Sequence, residues 1–191
     1  GEFGPDKNTK GFDATAYAAR GGWFACLPQA GEHYQPINWP AAMGDWNASL
    51  ALTAGVLAAL ARKDRTGEGD KVTVTLHHAA LWPMQMMLGG TQFGDKWPKS
   101  RYNVTCPTNN TYQTKDGVWF IICYGSYDLF YDHTMRTIGL DDMVGNERYN
   151  KNAEINDGSG RNEEVVRIIE KQFLTKTCPC SYPPIRLHIA Q

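Results

Sequence analysis

The chain has 191 residues, 42% hydrophobic and 20% charged, the balance of an ordinary globular protein of one medium domain or two small ones. Nineteen basic residues against 20 acidic give a net charge of −1, which offers no electrostatic basis for binding nucleic acid or an anionic membrane. The longest strongly apolar run, Ala48 to Ala61, is 14 residues, short of the roughly 20 a membrane span requires.

No signal-peptide pattern opens the sequence, so a cytoplasmic protein with reduced cysteines is expected. Cys26, Cys106, Cys123, Cys178 and Cys180 include no second Cys/His pair at ligand spacing, and no metal is expected.

The first 13 residues are polar and glycine-rich, a surface lead-in. "ATAYAARGGWFAC" has helical spacing, broken at Gly21-Gly22, and "LPQAGEHYQPINWP", which contains His33, reads as proline-rich loop. The clearest helix runs from Asp45 to about Lys63. Asp45 is a favoured N-cap type, and Arg62, Lys63 and Arg65 suit the negative end of the helix dipole. Its apolar residues wrap most of the circumference, so protein is expected to cover both sides.

A glycine turn, "RTGEGD", leads to "KVTVTLH", whose alternation predicts a strand with Val72, Val74 and Leu76 on one face. An apolar helix "HAALWPMQMML" follows, with Pro83 expected in its first turn. Helix, turn, strand and helix in this order mark an α/β protein. Residues 91–117 are polar and turn-rich, "GVWFIICYG" is a β-run, and "YDLFYDHTMRTIG" and "NEEVVRIIEKQFLT" are amphipathic helices.

Asp45 supports two readings, which are compatible. An Asp before an apolar helix is ordinarily a cap, yet the backbone N–H groups of a helix start also stabilise an ionised carboxylate and an oxyanion formed beside it. His77-His78 at a strand end reads as packed histidine or general base. Met84, Met86 and Met87 read as core or as an adaptable acyl pocket. No nucleophile elbow, phosphate loop or dinucleotide fingerprint is present.

Taken together, "GFDATAYAARGG", "GDWNASLALTAGVLAALARKDRTGEGDKVTVTLHHA", "FGDKWPKS", "YQTKDGVWFI" and "FLTKT" resemble the family III CoA-transferases, the group of the formyl-CoA:oxalate and carnitine CoA-transferases. "GPDKNTKGFD" and "HHAALW" look most like the branch acting on 2-hydroxyacyl and aryl-lactyl CoA esters.

The resemblance implies a partial Rossmann-like large-domain segment over residues 1–90, a small α+β domain over 91–177 and a tail, 178–191, outside the family pattern. It implies Asp45 as the nucleophile, with Gly44, Trp46 and Asn47 at the substrate or CoA site and Gly44 leaving the approach unblocked. Coenzyme A would be a substrate, no cofactor would be covalently bound, the partners would be an acyl-CoA and a carboxylic acid, and the assembly would be a homodimer.

Racemases of the same superfamily carry His-Asp where this chain has Phe12-Asp13, and phenylalanine cannot move a proton. A racemase is therefore the third reading, behind a transferase and a non-catalytic binding or assembly module of the same fold. That module is favoured by the chain's length, since family members run to about twice as many residues, as two-domain proteins do. Two further departures are His78, where relatives commonly have Asp, and "RYNVTCPTNN" in place of a glycine-rich lid.

Overall fold

The computed structural model describes residues 2–27 and 37–177. His33, Cys178 and Cys180 lie outside them. The chain divides into two compact units, one ending at Lys99 and the other beginning at Ser100.

All the regular secondary structure among the described residues of the first unit is helical. A π-helical segment, Asp13–Ala19, precedes a single turn α1 (Trp23–Cys26), the long α2 (Met43–Thr66) and α3 (Leu76–Thr91). The break between the first two falls at Gly21-Gly22 for a steric reason. A Cβ on Gly21 would lie 2.0 Å from the Tyr17 carbonyl oxygen and 2.4 Å from the Ala80 Cβ. The same closeness lets Tyr17, Ala18, Ala80 and Met84 bury one another as the core of this unit.

Against α2 the packing runs along small residues. Gly44 is buried, Ala48, Gly55 and Ala59 are half-buried, and Gly55 gives room to Val72. The helix runs past the expected end at about Lys63 to Thr66 and stops on Gly67 with φ 76°, whose N–H is donated to the Lys63 carbonyl over 2.7 Å. Protein on both sides was the expectation for α2. Nothing among the described residues covers its outer face, where Trp46, Leu50 and Leu57 are 72%, 71% and 60% exposed.

Two expectations for the following stretch are corrected. Residues 71–75 form no strand, because no described strand lies alongside to exchange backbone hydrogen bonds with them. Val72 and Val74 are still half-buried and Thr73 exposed, so the alternation is real without a ladder. Thr75, in extended conformation, accepts from the His78 N–H over 3.1 Å and starts α3 at Leu76. Pro83 consequently sits in the helix interior and not in the first turn, and the Ala79 carbonyl is denied its i+4 donor.

The second unit joins an antiparallel hairpin to helices. Strands β1 (Asn109–Gln113) and β2 (Trp119–Cys123) pair with Tyr112 opposite Phe120. Their turn closes through the Thr114 N–H on the Val118 carbonyl (3.0 Å), with Gly117 at φ 80°. Helices α4 (Tyr127–Ile138), α5 (Asn152–Ile155) and α6 (Arg161–Phe173) complete it.

One face of α6 buries Val165, Val166 and Ile169 among Tyr112, Tyr127, Tyr131, Met135 and Ile155. The tyrosines enter the core without stranding their hydroxyls. Tyr112, Tyr127 and Tyr131 donate to the carbonyls of Pro107 (2.8 Å), Tyr149 (2.7 Å) and Met143 (3.0 Å). Burial raises all three phenol pKa values, that of Tyr131 to about 12. Helices and an antiparallel hairpin place the chain in the mixed α/β class.

Candidate active site at the start of α2

The question posed by Asp45 is answered by a residue 31 positions before Gly44. Ala42, with no side-chain acceptor, occupies the N-cap position in the left-handed conformation, φ 63°. Met43 donates to the Pro40 carbonyl (3.4 Å) and Trp46 to the Ala42 carbonyl (3.0 Å). Of the two N–H groups between them, that of Gly44 is taken by Asp13 Oδ1 at 2.8 Å, while Asp13 Oδ2 accepts from Trp39 Nε1 at 3.0 Å. The cap is therefore Asp13, brought in from the π-helical segment.

This displaces Asp45 from the cap position to the third residue of the helix. It is exposed, and its carboxylate makes no hydrogen bond or ion pair with any described residue. Its own N–H likewise has no acceptor among them. An ionised carboxylate in the first turn is favoured by the helix dipole, and an open N–H beside it can receive a negative oxygen.

Gly44 is required by packing. A Cβ there would lie 2.2 Å from the Tyr17 Cγ and 2.4 Å from Asp13 Oδ1. The missing side chain thus lets α2 seat against Tyr17. Trp46 projects mostly into solvent, and Asn47, also exposed, donates its amide to the Met43 carbonyl over 2.8 Å. Gly44, Asp45, Trp46 and Asn47 are together only in the sense that they share the first turns of one helix.

Three aromatic rings stand behind Asp13. Tyr17 stacks on Trp23 with ring centres 6.1 Å apart, and Trp39 tilts against both at 5.9 and 6.0 Å. Burial, and secondarily the charge of Asp13, raises the Tyr17 phenol pKa. Trp23 Nε1 is buried without a partner among the described residues. In the sequence Asp13 stands out only beside Phe12 in the comparison with the racemases, with no capping role, and the aromatic cluster does not stand out. The only available signal was an Asp opening a helical segment, which carries no information about a cap for another helix.

Other candidates fall away from this point. His78 is exposed, whereas His77 is half-buried with its Nδ1 without a partner among the described residues, and burial followed by the nearby His78 and Arg20 charges lowers its pKa. Of the methionines, Met84 is core, Met87 half-buried and Met86 83% exposed, so they do not line one pocket. The described residues contain no cluster of His, Cys, Asp and Glu fit for a metal, and no helix among them is long and apolar enough to cross a membrane. A groove of about 650 Å³ lies in the second unit, lined by Phe120, Ile122, Thr134, Ile138 and Phe173 with Lys176 at its edge. No carboxylate or histidine of the described residues lines it.

The helix start and its surroundings fall within the match to a known family. Residues 1–179 match the model of CoA-transferase family III, and the chain belongs to that family. It is 42% identical over 180 residues to a cinnamoyl-CoA:phenyllactate CoA-transferase of Clostridium sporogenes, covering 93% of this chain and 43% of the relative. It is 38% identical over 177 residues, with the same coverage, to an (R)-2-hydroxy-4-methylpentanoate CoA-transferase of Clostridioides difficile. Among solved structures it superposes on a CAIB/BAIF family protein from Brucella suis with a TM-score of 0.68 at 19% identity, covering 93% of this chain and 45% of that one. The chain thus spans less than half the length of the relatives it matches.

Proposed function

We propose that the chain is part of an enzyme that moves coenzyme A from an acyl-CoA to a carboxylic acid, with Asp45 as the nucleophile. The observation that carries the reading is the exposed carboxylate of Asp45, without a partner among the described residues, on a helix start already capped by Asp13. A carboxylate doing a cap's work would have to break that bond before reacting. This one is free to react.

In this mechanism an Asp45 oxygen attacks the thioester carbonyl, the C–S bond breaks, and CoA leaves as thiolate, giving a mixed anhydride. The thiolate then attacks the aspartyl carbonyl. The first acid departs as carboxylate and CoA is held as an aspartyl thioester. The acceptor carboxylate and the released thiolate repeat the two steps in reverse, regenerating Asp45. The thioester's free energy is kept throughout, so the site must exclude water. The Asp45 N–H is available to the developing oxyanion, and Gly44, Trp46 and Asn47 border the approach. CoA is a substrate here, and the reaction needs no covalently bound cofactor.

The names of the two curated relatives suggest an acceptor or donor of the 2-hydroxy acid class. The remaining parts of the reading belong together. Residues 1–90 would be part of a Rossmann-like large domain and 91–177 a small domain. The uncovered face of α2 would be the contact with further parts of the family fold or with a second copy in a homodimer. Free thiols at Cys26, Cys106 and Cys123 are in keeping with a reducing, cytoplasmic setting.

The test is incubation with phenyllactyl-CoA, trapping with hydroxylamine or borohydride, and mass mapping. An adduct on Asp45 that disappears in Asp45→Asn is the expected result. Absence of any adduct under conditions that label a full-length relative would instead favour a non-catalytic module.

A further inference from the structure

We infer that Asp13 is a positioning residue for Asp45, keeping that carboxylate available by doing the capping work Asp45 would otherwise do. The inference rests on the proposed role of Asp45, but its test reads carboxylate availability and needs no CoA chemistry.

A helix start exposes four N–H groups that its own turns cannot satisfy. The local sequence around Ala42 supplies no side-chain acceptor except Asp45, since Pro40, Ala41, Ala42, Met43 and Gly44 carry none. An Asp in the first turn readily folds back onto such N–H groups. It does not do so here, because Asp13 Oδ1 holds the Gly44 N–H at 2.8 Å.

Asp13 is itself fixed in three ways. Its second oxygen accepts from the Trp39 indole at 3.0 Å. The residue before it, Phe12, donates its N–H to Thr15 Oγ1 over 3.1 Å and so anchors the start of the π-helical segment. The absence of a Gly44 side chain lets the carboxylate and the Tyr17 ring close on the helix, at a place where a Cβ would meet both within 2.4 Å. One half-buried carboxylate therefore ties Trp39 to α2 and leaves its neighbour loose.

The experiment is carbodiimide-driven coupling of glycinamide to Asp45, followed by peptide mapping, in the wild type, Asp13→Ala and Asp13→Asn. In Asp13→Ala, Asp45 should turn onto the vacated N–H and its coupling rate should fall about fivefold, the equilibrium value of an N-cap hydrogen bond. Asp13→Asn keeps an oxygen for Gly44 and should stay within about twofold of wild type, although its amide N–H group can no longer accept from Trp39. Unchanged or faster coupling in Asp13→Ala with helical content intact, or a fall in Asp13→Asn, would overturn the inference.

A double-mutant cycle gives a second readout. Asp45→Ala should lower the urea midpoint more in the Asp13→Ala background, where Asp45 has taken over the cap, than in the wild type, where it contributes only its charge near the helix dipole. Equal losses in the two backgrounds would mean that the two carboxylates are not coupled and would overturn the inference. Failure of acyl-CoA trapping with these outcomes intact would remove the transferase reading and leave the positioning role standing.

Discussion

At Gly44 two opposing effects of one methyl group can be weighed. Alanine in a helix interior is favoured over glycine by about 1 kcal/mol. Here, however, the added carbon would sit 2.2 Å from a ring atom of buried Tyr17 and 2.4 Å from Asp13 Oδ1. Overpacking against a rigid ring costs about 3 kcal/mol. Gly44→Ala should therefore destabilise the first unit by about 2 kcal/mol, read as a lower urea midpoint. His77 gives a pH-dependent test. Its folded-state pKa lies below the ordinary value because burial, then the His78 and Arg20 charges, disfavour the imidazolium. The unfolded state therefore binds the extra proton first. Its contribution is complete above the unfolded pKa of about 6.5 and declines as pH falls below it. The urea midpoint of the first unit should drop between pH 7.5 and 5.5, and His77→Gln should reduce that drop. An equal drop in the variant would exclude His77 as the cause. At this scale the sequence showed that Asp45 stands at a helix start, but not that its capping role was filled. The partner comes from another segment, and nothing in a local pattern reports a contact across 31 residues.

Strand β1, polar in sequence and within residues 91–117, reads only as turn-rich chain. Elements carrying an apolar pattern of their own were legible: the run "GVWFIICYG" folds as β2, and the spacing of Val165, Val166 and Ile169 gives the buried face of α6. Those depending on distant partners were not. Residues 71–75 have the alternation of a strand and lack a neighbour to make it one. The start of α3 was displaced for a related reason. Reading a strand through His77 pushed the helix downstream and made Pro83 a first-turn residue, whereas the Thr75 cap begins the helix seven residues before Pro83. That correction has a measurable consequence. A proline in a helix interior costs about 3 kcal/mol relative to alanine, and Pro83 is exposed, so replacing it opens no cavity. Pro83→Ala restores a donor for the Ala79 carbonyl and should stabilise the first unit by about 1–3 kcal/mol. A midpoint unchanged or lowered would mean that α3 needs the bend at that position.

Over the whole molecule, apolar burial is unequally shared. The second unit holds a connected core of Tyr112, Tyr127, Tyr131, Met135, Ile138, Ile155, Val165, Val166 and Ile169, whereas among the described residues of the first the buried hydrophobic ones are Tyr17, Ala18, Ala80 and Met84. Since burial of apolar area supplies most of the favourable free energy of folding, the two should not unfold together. The first unit should lose structure at lower urea. Its indoles, Trp23, Trp39, Trp46, Trp82 and Trp97, will report that transition, and Trp119 the later one. Trypsin at intermediate urea should cut after Lys96 or Lys99 and leave a resistant product from the second unit. Self-association through the outer face of α2 would raise the first transition by mass action, making it depend on protein concentration. Leu50→Glu with Leu57→Glu separates the effects, because both side chains lie on that face and neither is buried. In the double variant the first transition should become independent of concentration while the second stays where it was. A single transition common to all the indoles in that variant, or loss of the second unit first, would show that its larger core does not set the order of unfolding.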